Sequence, residues 1–307
     1  MKYIQVSDLQ EKYNDSQKNV WKKHIKLFYY LLKSVNEEYT YDFFTSLIYK
    51  RRVANNDEDI TLLKLFDFIQ ARMFADDFKK MSKALFSLIT KQESTDSEFA
   101  VFLEIEMIIN HATTTADLAL ILVKLESLFV NINYPNNYFA VFMLFNRILV
   151  DLGINNIYLT LNQVLKLKEL STADETTKLV FFTNLLEDIF EKDLSLPLSY
   201  LENLIPLTTD SIIEGVMLNK DFLQTECFAN AVYLYGSFAK GNERIESDID
   251  LAISFAEDIT YNQKEKARLK IKENLFTVFH RFIDVNEIFQ SNDQSIIEMI
   301  GQNIKIY

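Results

Sequence analysis

Glycine and proline are scarce in this sequence: 5 Gly and 3 Pro among 307 residues, with no glycine before Gly153. Turn-rich all-β folds need residues that adopt positive φ, so a sandwich or barrel is excluded from that long stretch. Collagen-like and low-complexity chains are excluded by the same composition. A single cysteine, Cys227, allows neither an intramolecular disulfide nor a cysteine-based zinc site. The three histidines (His24, His111, His280) include no pair at the i, i+4 spacing that sets two imidazoles on one helical face. Long apolar runs are also lacking. The longest, Tyr138 to Phe145, ends at Asn146-Arg147, well short of the roughly 20 residues a membrane span needs. The polar start MKYIQVSDLQEKYNDSQK has no apolar segment of the signal-peptide kind, so a cytoplasmic protein is expected. Positive charge is in deficit too. The net charge of −12 argues against a duplex nucleic-acid partner, which needs Lys and Arg to neutralise phosphates.

What is present reads as two regions. From about residue 17 to 190, apolar residues recur at steps of three and four, as in Trp21, Ile25, Phe28, Tyr29 and Leu32 and in Leu63, Leu65, Phe66, Phe68 and Ile69. Phe99–Ile109, Ala116–Phe129 and Phe139–Leu152 repeat the pattern. Thr113 to Asp117 supplies N-cap candidates, and Ser171 to Glu175 opens another helix to about Lys192. Broad apolar stripes on successive helices predict a bundle with a common core. Residues 193–211 hold two of the three prolines and read as a linker, with a domain boundary near 206–211.

Beyond that boundary the pattern alternates. A helix is expected over Ser211–Cys227, strands over Asn230–Tyr235, Asp248–Phe255 and Phe282–Ile288, a helix over Tyr261–Val278, and a closing helix over Gln294–Ile304. The fold class is therefore α+β: an all-helical domain over 1–206, then a small α/β domain with a mixed sheet over 211–307.

One stretch carries chemistry: Tyr235-Gly236-Ser237-Phe238-Ala239-Lys240-Gly241, then Ser247-Asp248-Ile249-Asp250-Leu251. Gly236 ends a strand where backbone can approach a ligand closely. Ser237 begins a helical turn whose N–H groups suit a phosphate. Asp248 and Asp250, two apart on a strand, face the same side. Adjacent carboxylates repel unless a cation lies between them. Mg²⁺, which takes one or two carboxylates plus phosphate oxygens, fits that demand. Asp284, on a neighbouring strand, would complete three carboxylates able to hold two Mg²⁺ for in-line transfer, or would accept a proton from an attacking hydroxyl.

Gly236-Ser237 followed after ten residues by Asp248-Ile249-Asp250-Leu251 resembles the signature of the DNA polymerase β-like nucleotidyltransferase superfamily. The fuller text GSFAKGNERIESDIDLAIS is similar to its minimal nucleotidyltransferase branch, over about residues 212–307. The ending IIEMIGQNIKIY resembles the closing helix of those domains. The resemblance implies a mixed sheet with helices on one side, and ATP or another nucleoside triphosphate as donor. It implies Mg²⁺ held by Asp248 and Asp250, nucleotide phosphates at Gly236 and Ser237, and a third carboxylate at Asp284. Glu287 is the fallback for that third place, though alternation puts it on the other face. Lys240 stands where the family often has Arg and is a candidate phosphate contact; Ser247 braces the turn before Asp248. The implied reaction moves AMP from ATP to an acceptor hydroxyl, on a protein as in antitoxin-type relatives, or on a small molecule of the aminoglycoside kind. The rival from another class is a regulatory, partner-binding protein with a vestigial site.

The helical region says less. The R-x(4–6)-H pattern of HEPN-type ribonucleases is absent. Asn137 with FAVFMLFNRILVDLGI resembles the helix after the active-site loop of Fic domains. Aligned so, the loop histidine falls on Asn131 and the closing arginine on Phe139, which implies a degenerate, inactive Fic-like fold. A plain helical bundle that binds a partner or substrate is the default expectation.

Overall fold

A computed structural model describes residues 3–13, 20–34, 40–49, 60, 63–68, 78–90, 96–129, 136–195, 204–288 and 300–307. The chain divides into two compact units. One comprises Met1–Leu159 with Gln163–Asn203, the other Thr160–Asn162 with Leu204–Tyr307. The expected linker falls partly on residues 196–203, and Asn131, Ile69 and 294–299 of the closing helix likewise lie outside the described residues.

The first unit is helical: α1 (Val6–Tyr13), α2 (Val20–Lys33), α3 (Tyr41–Ile48), α4 (Phe78–Thr90), α5 (Asp96–His111), α6 (Thr115–Phe129), α7 (Asn136–Asp151), α8 (Leu161–Leu170, whose first turn counts with the other unit) and α9 (Glu175–Ser195). Helix α7 explains the long apolar run. Every residue from Tyr138 to Leu149 is buried, because α2, α4 and α6 pack around it. Its polar interruption is satisfied internally: Asn146 Nδ2 donates to the Phe142 carbonyl at 2.9 Å and its Oδ1 accepts from Ile157 N at 2.8 Å. A second polar intrusion is an ion pair. Lys178 Nζ on α9 meets Glu126 Oε2 on α6 at 2.7 Å, and the Tyr138 hydroxyl donates to Glu126 Oε1 at 3.3 Å.

The second unit has a four-stranded mixed sheet. After α10 (Thr209–Leu218) and α11 (Lys220–Thr225) come β1 (Ala229–Tyr235), the single turn α12 (Gly236–Ala239), β2 (Ile249–Phe255), α13 (Tyr261–Phe279), β3 (Ile283–Glu287) and β4 (Ile304–Lys305). The spatial order is β3-β2-β1-β4, with β2 and β3 parallel and the other pairs antiparallel. The helix α13 is the crossover that a parallel pair requires. Capping boxes begin α10 at Thr208 and α13 at Thr260. One sheet face, through Val232, Leu234, Leu251, Ile253, Ile283 and Val285, shares a core with Ile212 and Val216 of α10 and Ile271, Leu275 and Phe279 of α13. The other face carries polar groups.

The sequence differs from the structure at two places here. Ser211–Cys227 is not one helix; it breaks at Asn219, whose N–H closes α10 on the Met217 and Val216 carbonyls. The chain's end is a strand rather than a helix at Ile304. Ile306 N donates to the Val232 carbonyl at 2.8 Å and Val232 N to the Tyr307 carbonyl at 3.1 Å. Tertiary pairing with β1 overrides local pattern in a segment too short to hold a helix by itself.

Candidate functional site

The site is assembled by strand register. Tyr235 on β1 pairs with Asp250 on β2, and Asp250 pairs with Asp284 on β3, so the three side chains form a row across the sheet face away from the helices. The next row is Tyr233, Ala252 and Asn286. Glu287, one step out of phase, lies on the helical side, where Lys264 Nζ (2.5 Å) and Arg268 Nη2 (3.1 Å) of α13 hold it.

Gly236 turns the chain at the end of β1 with φ +72°. A Cβ there would lie 1.9 Å from Asp250 Oδ2, so the carboxylate occupies the space that any side chain would take. Ser237 follows, and its hydroxyl oxygen is buried with no hydrogen-bond partner among the described residues. The turn is closed by Lys240 N on the Gly236 carbonyl (3.3 Å), Gly241 N on Phe238 (3.4 Å) and Asn242 N on Ser237 (3.0 Å). Ser247 Oγ accepts from Arg244 N at 2.9 Å while Ser247 N returns to the Arg244 carbonyl at 3.2 Å, which fixes the chain just before Asp248. Arg281, almost wholly buried, grips the same loop from below: its Nη2 donates to the carbonyls of Ile245 (2.9 Å) and Ile205 (2.5 Å).

The electrostatics follow from this packing. Burial first, then the charges of Asp248 and Asp284, push the Asp250 carboxyl up to about 6, with Lys240 pulling the other way. Burial, helped by the charges of Asp250, Asp284 and Asp248, also raises the Tyr235 phenol, against a bond from Asn286 that lowers it. Asp284 Oδ1 faces Lys272 Nζ at 3.3 Å and takes its neighbour's Val285 N–H at 3.1 Å. Asn286 Nδ2 donates to the Tyr235 hydroxyl and reaches Asp284 Oδ2 at 3.4 Å. Among the described residues no three His, Cys, Asp or Glu side chains stand close enough to hold one metal ion between them. A dication here would take oxygens from a phosphate ligand as well as from the protein.

Of the residues singled out from sequence, Gly236, Asp250 and Asp284 are brought together, Asp248 and Lys240 act on Asp250 through charge, and Ser247 closes a turn. Four participants were not anticipated. Asn286 was legible, since alternation puts it on the face of Asp284, whereas Tyr235 comes beside Asp250 through the register of β1 against β2. Lys272 and Arg281 carry no local signal, because their contacts depend on tertiary packing.

The geometry agrees with comparison to known proteins. Residues 219–307 match the family described as Polymerase beta, Nucleotidyltransferase, which leaves residues 1–218 outside the match. No curated protein and no solved structure matches the chain. Residues 219–307 are thus similar to the polymerase β-like nucleotidyltransferases. No described helix is long and apolar enough to cross a membrane.

Proposed function

We propose that the C-terminal unit transfers a nucleoside monophosphate, AMP from ATP, to an acceptor hydroxyl with Mg²⁺. The observation that carries this reading is the apposition of Asp250 Oδ2 against Gly236, which brings the Gly-Ser turn and the Asp-x-Asp segment side by side. The buried Ser237 hydroxyl, without a hydrogen-bond partner among the described residues, is the second support: a ligand oxygen would supply one. Asp248 and Asp250 would hold the metal together with phosphate oxygens of the nucleotide, and a dication would offset the burial and the neighbouring charges of Asp248 and Asp284 that raise the Asp250 carboxyl. When bound, Mg²⁺ supplies charge stabilisation at the phosphoryl oxygens.

The chain's own residues supply the rest. Gly236 and Ser237 seat the phosphates, and the Lys240 ammonium neutralises them from the turn. Asp284 takes the proton of the acceptor hydroxyl as its oxygen bonds to the α-phosphorus and pyrophosphate leaves. Tyr235 and Asn286 hold the Asp284 carboxylate beside Asp250. The acceptor is a hydroxyl on a protein or a small molecule, and the acidic chain favours a cationic one. The helical unit, Met1–Leu159 with Gln163–Asn203, would select it; a degenerate Fic-like bundle is one form of that proposal. Phe139, where a Fic arginine would stand, is buried in α7.

The test is thermal melting with Mg²⁺ and each of ATP, GTP, CTP and UTP, followed by transfer of labelled nucleotide. A Mg²⁺-dependent rise in Tm with one nucleotide is expected in the wild type. Asp248→Asn and Asp250→Asn should each lose that rise and reduce transfer at least ~100-fold, while keeping the fold. No shift with any nucleotide would favour the regulatory protein with a vestigial site.

A further inference from the structure

The turn between Ser237 and Asn242 is held from outside by a residue distant in sequence. Thr160–Asn162 groups with the C-terminal unit although the chain before and after it belongs to the helical unit. Asn162 Nδ2 donates to the Lys240 carbonyl at 2.9 Å and to Asn242 Oδ1 at 2.8 Å, and Asn162 N donates to the Gly241 carbonyl at 3.2 Å. Three consecutive residues of the turn are therefore tied to one asparagine. Asn242 passes the restraint on, since its N–H donates to the Ser237 carbonyl at 3.0 Å. Gly241 shows how close the approach is. It has φ +67°, and a Cβ on it would meet Asn162 Oδ1 at 3.1 Å. Within this turn, Ser237 carries the unpartnered hydroxyl and Lys240 the cation whose field reaches Asp250.

We propose that Asn162 is a positioning residue that sets nucleotide affinity by holding the turn from which Ser237 and Lys240 reach the phosphates. This rests on the nucleotidyltransferase reading of the site. Without the Asn162 amide the Lys240 carbonyl and the Asn242 side chain lose their donor. The turn then samples more conformations, and a nucleotide must reorder it on binding.

The experiment uses the full chain and calorimetric binding of Mg²⁺ with each of the four ribonucleoside triphosphates, together with amide exchange over residues 237–242. Asn162→Ala should weaken the nucleotide that binds wild type about 5- to 10-fold, the equivalent of one or two hydrogen bonds. In transfer assays KM for the nucleotide should rise by a similar factor with kcat nearly unchanged. Exchange at 237–242 should speed up without nucleotide. Asn242→Ala should give part of the loss and combine with Asn162→Ala less than additively. A role in general stability alone would move neither the KM-to-kcat split nor this coupling. Asn242 is exposed, so that variant keeps the test alive if Asn162→Ala fails to fold. Wild-type binding that both variants leave unchanged overturns the Asn162 assignment by itself. No binding of any nucleotide by the wild type overturns the site reading and the Asn162 assignment together.

Discussion

At Gly236 the backbone and a carboxylate compete for one volume. Alanine there would have to adopt φ +72° and displace Asp250 Oδ2 from 1.9 Å. Gly236→Ala is expected to cost about 1–3 kcal/mol in denaturant unfolding. It should also abolish the nucleotide-dependent rise in Tm, because Asp250 is pushed out of the row. Asp250 itself gives a pH signature. Its carboxyl rises from 3.8 to about 6 in the folded state, so its contribution to stability is full below 3.8 and is lost as pH rises through about 6. In metal-free protein, a plot of Tm against pH should slope downward across that window, and Asp250→Asn should flatten the slope. The two positions also show how far local reasoning reaches. The Gly-Ser and Asp-x-Asp spacing was visible because it is short and periodic. Alternation would also have added Asn286, which shares the face of Asp284. Arg281 and Lys272 were not legible, since nothing within a few residues of either marks a partner on another element.

Among the elements, helix α7 shows why burial is the better guide than length. An apolar run far too short to span a membrane is the right size for a helix enclosed on all sides, and Asn146 is tolerated there only because both ends of its amide are used. The Lys178–Glu126 pair is a more exposed-looking sequence feature with a more demanding structure. Its carboxylate side chain is 3 % exposed. Lys178→Met leaves that charge uncompensated and is expected to cost about 3–5 kcal/mol, measured by urea unfolding, whereas Lys178→Met with Glu126→Leu should recover most of the loss. The alternation of β1, β2 and β3 and the periodicity of α13 gave the sheet and its crossover in advance. The end of the chain did not follow the expected helix. Ile304 and Ile306, two apart, share a face only in a strand, and the edge of β1 supplies the partner that a two-residue strand needs.

For the whole molecule, the net charge of −12 has a measurable consequence. Like charges repel more in the compact state than in the extended one. Raising salt from about 10 mM to about 150 mM shortens the Debye length from about 30 Å to about 8 Å, and the Tm of the metal-free protein should rise with it. The same charge predicts no measurable retention of duplex DNA at the higher salt. The C-terminal unit, in which the nucleotide site is proposed, is not one continuous piece of chain. It takes Leu204–Tyr307 and also the three residues Thr160–Asn162. A fragment beginning after Asn203 would carry Asp248, Asp250 and Asp284 without Thr160–Asn162, which group with them. Cutting the chain at the linker therefore divides a unit rather than separating two.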